Sequence, residues 1–381
     1  MIRAHPRPIR VAVAILAVAS CLYLIQASAR IGFSRLLSRF ALTSPTTVEA
    51  EAAVGLSPSD PEARRVLAIV LARHHYPIES VQALESATSL RPRDDNLWLE
   101  LGNAREGLGD TAGALAAFDQ AVRWAPYYGY THWQRGNFLL RIGRYDDAFA
   151  ELRTAASRDP RYFPNLIDLA WGVSRGDLKI AEQWIQINND EQRRTFINYL
   201  FSAKAFRSAF ALWSTSPQTP ALFNGGFEDQ LVLTEPGFGG WVSSTDRSKN
   251  RLAIDASEKI EGTKSLQITL AGEWTPGTPL LSQTVVVEPS TRYRIYFSVR
   301  TKDLVTGGPP VFTVSDASTN EQLGKSQNFP SATTDWTRLS FEFTTPANSE
   351  AAVIQLQRNN CDPAPCPIFG VLWLDEISIG K

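Results

Sequence analysis

Three cysteines, four histidines and scattered acids are what this chain offers for chemistry. Cys361 and Cys366 bracket a short Pro-rich loop, CDPAPC. The spacing is longer than a C-x-x-C redox pair, and no second Cys or His cluster completes a zinc site. The pair reads as a disulfide closing a small loop if this part of the chain is exported, and as two free thiols if it is not. His74 and His75 are adjacent, so on a helix they point in different directions and belong to its surface or partly buried side rather than to a metal. No G-x-S-x-G, Walker sequence, H-E-x-x-H or dinucleotide fingerprint occurs. Gly237, Gly239 and Gly240 fall between strands rather than before a helix, so they make no phosphate cradle. Four histidines leave little room for His-based acid–base work, and no carboxylate pair is framed by a motif. The expectation is a chain without catalytic residues. Lys and Arg total 38 against 39 Asp and Glu, so charge gives no general reason to expect nucleic acid.

The elements that would position binding residues fall into three stretches. Between Arg10 and Arg30 the sequence carries no charge, enough for a helix at the short end of what spans a bilayer. Arg3, Arg7 and Arg10 precede it and Arg30, Arg35 and Arg39 follow, so the positive-inside rule is close to a tie. Cleavage after the small residues Ala27 to Ala29, or lipidation at Cys21 in VASC, are the alternatives to an uncleaved anchor. The apolar LYLI after Cys21 speaks against lipidation. Ile31, Leu36, Leu37 and Phe40 then stand among arginines, which reads as an amphipathic juxtamembrane helix.

From about residue 44 a period of 34 takes over. Gly102 recurs as Gly136, Ala114 as Ala148, Ala121 as Ala155 and Pro126 as Pro160, with Pro92 and Pro58 on the same grid. Within one unit Trp98, Leu101 and Gly102 share one helix face, and Ala114, Phe118 and Ala121 share another. Gly109-Asp110 breaks the chain between them. Small Gly102 and Ala114 allow close approach of the two helices. This resembles the tetratricopeptide repeat family, whose Trp, Leu, Gly, Ala, Phe, Ala and Pro positions are met by Trp98, Leu101, Gly102, Ala114, Phe118, Ala121 and Pro126. The next unit departs at the Trp position, which is His132, and an earlier one has Ala68 in place of Gly. A half unit ending at Pro58 and a degenerate one around Asn165 to Asn189 flank these. FINYLFSAKAFRSAFALW, to Trp213, looks like a closing helix pair. The resemblance implies an α-solenoid whose concave surface holds a protein partner, with Arg105, Gln134, Asn137 and Arg141 near that face.

After about Ser214 glycine, proline, serine and threonine rise, and the pattern alternates. SLQITL, LSQTVVV, RYRIYFSVRT, PVFTVSD, TRLSFEFTT, AAVIQLQ and VLWLDEISI read as strands of a β-sandwich. NGGFE (opening strand), GGW (the turn after it), EGTKSLQI, DWTRLSFEF and LDEISI follow one another in an order that resembles the galactose-binding-like jelly roll of carbohydrate-binding modules. In that family a structural calcium often joins the first and last strands, and Glu228 and Asp375 match its acidic positions. The alternative is that these acids accept hydrogen bonds from neighbouring loops. A sugar site on the face opposite the core would draw on Arg294, Tyr296, Arg300, Gln355, Gln357 and Trp373, with Trp274 exposed in a Pro/Gly loop. Trp241 and Trp336 are structural or at the rim.

The expected organisation is a membrane anchor and juxtamembrane helix (1–43), a solenoid (44–215) and a carbohydrate-module-like sandwich (221–381). The expected role is a non-catalytic scaffold held by a single helix in a bacterial inner membrane, its bulk periplasmic. The repeats would hold a protein and the sandwich a polysaccharide, by architectural analogy with exopolysaccharide or O-antigen assembly. A pure assembly factor that never touches sugar is the competing reading, and a glycan-processing enzyme a third.

Overall fold

The computed structural model describes residues 7–44, 46–214, 222–231, 238–243, 250–361 and 366–381. Arg3, Gly237, the inner residues of CDPAPC, the expected sandwich start at Ala221 and the side chains of Arg7 and Arg10 lie outside that description. Contacts divide the chain into two compact units, Met1–Gln186 and Ile187–Lys381.

The first unit opens with α1, Arg7–Ala41. Within Val11–Ala41 an 18-residue window reaches a mean hydropathy of 2.1, and the helix is long and apolar enough to cross a membrane. The apolar stretch and the arginine-rich stretch form one uninterrupted helix, since neither proline nor a capping sequence separates them. The packing of its last turns is the reverse of a simple apolar face. Ser34, Ser38 and Ala41 are buried, while Ile31, Phe33, Leu36 and Phe40 are exposed. The Ser34 hydroxyl donates to the carbonyl of Ala53 at 2.7 Å, so small residues set the close approach to α2, Val48–Leu56.

Helix pairs follow: α3 (Pro61–Arg73) with α4 (Pro77–Leu90), α5 (Asp95–Gly107) with α6 (Thr111–Trp124), and α7 (Gly129–Arg141) with α8 (Tyr145–Arg158). A 3-10 turn, Pro160–Tyr162, leads into α9 (Phe163–Val173) and α10 (Leu178–Ile185). The 34-residue grid is a steric requirement. A Cβ on Gly102 would lie 3.0 Å from the Phe118 ring, and one on Gly136 would lie 2.8 Å from Leu152. Asp60 caps α3 by accepting from the Glu62 amide, and Asp110 caps α6 by accepting from that of Gly113, whereas Asp94 before α5 makes no side-chain cap.

The second unit begins with α11 (Asp190–Ser202) and α12 (Phe206–Trp213). The strands are β1 (Val242–Ser243), β2 (Asn250–Asp255), β3 (Ser265–Gly272), β4 (Leu281–Val286), β5 (Arg292–Thr306), β6 (Pro310–Asp316), β7 (Gln322–Lys325), β8 (Ala332–Thr344), β9 (Ala351–Arg358) and β10 (Ile368–Gly380). They make two antiparallel sheets, in the orders β1-β4-β9-β6-β7 and β2-β3-β10-β5-β8. Alternation along β5 puts Tyr293, Ile295, Phe297 and Val299 inside, where Phe297 meets Phe312 of the facing sheet at 4.8 Å between ring centres. NGGFE is a turn, not the expected opening strand: Gly225 and Gly226 form the turn, and Asn224 and Phe227 on either side of it both have positive φ. The closing helix pair expected for the solenoid lies with the sandwich. Phe201, Phe210 and Trp213 surround Phe238, the Arg207 guanidinium donates to the Val287 carbonyl, and Lys204 donates to that of Ser318.

Candidate functional site

In the repeats, the polar residues expected near a concave face divide into two kinds. Arg105 donates to Glu85 at 2.7 Å and to the Gly113 carbonyl, so it ties α5 to its neighbours on both sides. Arg141 donates to Glu106, 35 residues back, and Arg65, at a different repeat position, donates to Glu100, 35 residues ahead. These two pairs brace successive first helices. Asn137 donates to the Trp133 carbonyl one turn earlier, and Gln134 is half-buried beside it. Asn137 and Gln134 thus keep polar capacity toward a ligand, whereas Arg105 and Arg141 are engaged.

His132 shows how the repeat tolerates its departure from Trp. The Trp98 indole N–H donates to the Pro92 carbonyl at 2.8 Å. His132 Nε2 lies 3.0 Å from the carbonyl of Pro126, the equivalent position, while Nδ1 lies 2.7 Å from Glu151. A carbonyl only accepts, so Nε2 carries a proton, and a proton on Nδ1 completes the bond to Glu151. The Glu151 carboxylate holds the imidazole pKa above its ordinary value against the opposing pull of burial, and the Pro126 carbonyl helps.

On the sandwich the expected sugar-binding residues do not form one face. Arg294, Tyr296 and Arg300 on β5 and Trp373 on β10 belong to one sheet, and Gln355 and Gln357 on β9 belong to the other. The first group is already engaged within the chain. Arg292 and Arg294 both pair with Glu342, which hydrogen bonds from these guanidinium groups hold below the usual carboxylate range. Arg338 sits over the Tyr296 ring, and Arg300 sits over Trp373 while pairing with Glu258. Trp373 is 6% exposed and its indole donates to Asp255. Burial raises the Asp255 pKa, but bonds from Ser257 and Trp373 outweigh it and leave the carboxyl low. On the other sheet Gln357 donates to Gln355 at 2.7 Å, and neighbouring Thr313 has a buried hydroxyl with no partner among the described residues.

Trp274 is not an exposed platform. It is 6% exposed and packs into the sandwich core, with its indole donating to the Thr278 carbonyl. Its backbone neighbours line a 640 Å³ groove with Pro276, Asn360 and the bonded pair Cys361–Cys366, whose Cα atoms are 6.0 Å apart. A residue the sequence did not flag organises this end. Buried Arg358 donates to the carbonyls of Gly308, Trp274 and Cys366, to the Thr306 hydroxyl and toward Cys366 Sγ. Burial pulls its pKa down.

Glu228 and Asp375 meet the same turn. Glu228 accepts from the Thr263 amide and hydroxyl and from the Lys264 amide; Asp375 accepts from the amides of Ile260, Glu261 and Glu376. A Cβ on Gly226 would lie 3.8 Å from Asp375 Oδ1 and 4.0 Å from Glu228 Cγ, so the two carboxylates flank one glycine. Their charges differ in setting. Hydrogen bonds from Thr263 hold Glu228 low, whereas burial pushes Asp375 up despite three amide donors. Both carboxylates are thus filled by N–H and O–H donors, and among the described residues no group of three or more His, Cys, Asp or Glu could hold a metal; calcium, which takes six to eight oxygens, would have to displace these donors and draw on backbone carbonyls.

Residues 95–128 match the tetratricopeptide repeat family, and residues 219–363 match the carbohydrate binding domain family. Among curated proteins, the tRNA(Glu)-specific nuclease WapA of Bacillus subtilis subsp. natto is 28% identical over 44% of this chain and 7% of its own length. Protein FlbA of Caulobacter vibrioides is 31% identical over 27% of this chain and 17% of its own. The chain therefore spans less than a fifth of either relative. Among solved structures, YrrB, described as a TPR protein with an unusual peptide-binding site, has a TM-score of 0.35 at 19% identity, covering 48% of this chain and 89% of its own. MamA from Desulfovibrio magneticus has a TM-score of 0.35 at 18% identity, covering 41% and 92%.

Proposed function

We propose that this chain, which joins tetratricopeptide repeats to a C-terminal carbohydrate-binding-type β-sandwich, is a non-catalytic membrane-anchored scaffold. The repeats hold a protein partner, and the sandwich holds a glycan or packs into the same complex. The observation that carries this reading is the continuity of α1: an apolar helix of membrane-spanning length runs without a break into the first repeat. The last turns of that helix pack on the first repeat through Ser34 to Ala53 and Arg35 to Asp60, which suits tethering of a partner at a membrane. Placement in a bacterial inner membrane with the bulk periplasmic accords with the Cys361–Cys366 bond, and a role in exopolysaccharide or O-antigen assembly rests on domain architecture alone. Two weak sites on one tether gain avidity through effective concentration.

For the glycan, the β9 face is a better candidate than the β5 face. Gln355, Gln357 and Thr313 keep hydrogen-bonding capacity, while Tyr296 and Trp373 have arginines over their rings. Affinity electrophoresis of the full chain in detergent against acidic and neutral polysaccharides tests this. Retardation lost in a Gln355→Ala/Gln357→Ala variant with unchanged melting supports the glycan reading. No retardation on any polymer would leave the pure assembly factor, which the self-paired β5 face favours. A structural calcium held by Glu228 and Asp375 is part of the proposal. It would neutralise the buried Asp375 charge and fasten the opening segment to β10. Calcium should then raise the melting temperature of the wild-type chain by a few degrees over an EGTA control, and Asp375→Asn should melt alike in both.

A further inference from the structure

One edge of the solenoid carries a row of rings and arginines. The turn that joins each helix pair to the next closes with the same backbone bond four times: Asp60 to Ser57, Asp94 to Arg91, Tyr128 to Ala125 and Tyr162 to Asp159, donor first. Asp60, Asp94, Tyr128 and Tyr162 therefore occupy one repeated position at one edge. Around it stand exposed Leu90, Trp124, Tyr127, Tyr128 and Tyr130, with Tyr127 as much as 79% exposed. Arginines interleave by a repeating rule. Arg93 lies over Trp124 at 5.5 Å, and one repeat on the same two positions pair with their roles exchanged, Arg158 lying over Tyr127 at 5.1 Å; Arg123 also approaches Trp124. Among the described residues Arg93, Arg123 and Arg158 have no carboxylate partner.

The direction of α1 says what this edge meets. Arg35 pairs with Asp60, at the first of the four turns. The other end of the helix lies at the opposite edge, where Arg73 donates to the Leu42 carbonyl. Followed backwards from Arg35, α1 leaves the solenoid at the edge that holds the rings, and its charge-free stretch begins past Arg30. Five residues of helix are about 8 Å of rise, comparable to the interfacial layer on one side of a bilayer. We propose that this edge lies in the headgroup layer of the membrane that α1 spans, with Trp124, Tyr127 and Tyr128 at the interface and Arg93, Arg123 and Arg158 on lipid phosphates. Tyrosine and tryptophan favour that layer for their amphipathic rings, and arginine for its phosphate geometry. The solenoid then lies along the membrane rather than standing away from it. This rests on the anchor reading above.

The test uses the full chain in nanodiscs containing a quarter anionic phospholipid. A fluorophore is placed at Tyr127→Cys or, on the opposite edge, at Tyr76→Cys, each with Cys21→Ser. Quenching by headgroup-nitroxide lipid should be several-fold stronger at 127 than at 76, and Arg93→Glu/Arg158→Glu should remove the difference. Equal quenching at the two positions in a chain that still resists carbonate extraction overturns the proposal and leaves the edge to a partner protein. Release by carbonate sinks the anchor itself, and the proposal with it.

Discussion

His132 and Arg358 are the residues whose chemistry reaches furthest. In His132 both ring nitrogens are engaged, and Glu151 raises the folded pKa above the unfolded value. The sign follows: the bond contributes fully below the unfolded pKa, near 6.5, and is lost as pH rises through the folded one. Arg158 opposes the charge, and Arg135 shares Glu151, so after solvent screening the contribution is about 1 kcal/mol. Thermal melts should show the repeats losing stability as pH rises above about 6.5. His132→Trp, which keeps the bond to Pro126 as Trp98 keeps its own, should flatten that profile; an equally steep profile in the variant would rule His132 out as its source. Arg358 is a buried cation satisfied by carbonyls and a hydroxyl rather than by a carboxylate. Removing it leaves several acceptors of the 306–308, 274 and 366 segments unpaired. Arg358→Ala should cost on the order of 3 kcal/mol in urea unfolding followed by tryptophan emission, and Arg358→Lys should recover only part of this because an ammonium cannot reach all five partners.

At the scale of elements, the repeats were legible because close helix approach forces small residues onto fixed positions. Gly102 and Gly136 meet Phe118 and Leu152 at contact distance, and a sequence records that constraint every 34 residues. Gly136→Ala should therefore destabilise by about 1–3 kcal/mol through overpacking. Gly107→Ala, where nothing lies within 4 Å of the added carbon, should gain up to about 1 kcal/mol. Equal effects in paired chemical denaturations would remove the steric account of the grid. The seven long strands were legible from alternation, whereas β1, β2 and β7 are short or half-exposed and leave little pattern. The candidate sugar face was misjudged for a reason of topology. Outward alternation shows that a residue leaves the core, but not which sheet it leaves from, so Tyr296 and Gln355 were grouped although β5 and β9 lie in different sheets. Nor does composition reveal that an outward tryptophan is roofed by an arginine.

For the whole molecule, the helix pair α11 and α12 decides where the chain can be divided. By its apolar stripe it looks like a closing pair of the solenoid, although it starts off the 34-residue grid, and its aromatic face is spent on the second unit. Phe201 meets Phe238 at 4.8 Å between ring centres, Phe210 meets it edge-on at 5.0 Å, and Trp213 packs on both Phe223 and Phe238. The Arg207 amide donates to Glu350, and its guanidinium donates to the Val287 carbonyl. A fragment that starts at 222 would leave Phe223 and Phe238 without these partners, and burial of one such side chain contributes about 1.5–3 kcal/mol. Two fragments test this. The one from Ile187 to Lys381 should be monomeric and melt cooperatively, and the one from Leu222 to Lys381 should melt several degrees lower or aggregate. Equal melting temperatures would mean that the sandwich is self-sufficient and the helix pair only rests on it. A lower melt for the shorter fragment would mean that the proposed glycan binding is properly tested only with α11 and α12 in place, since a loosened β4 end also loosens β9, its hydrogen-bonded neighbour that carries Gln355 and Gln357.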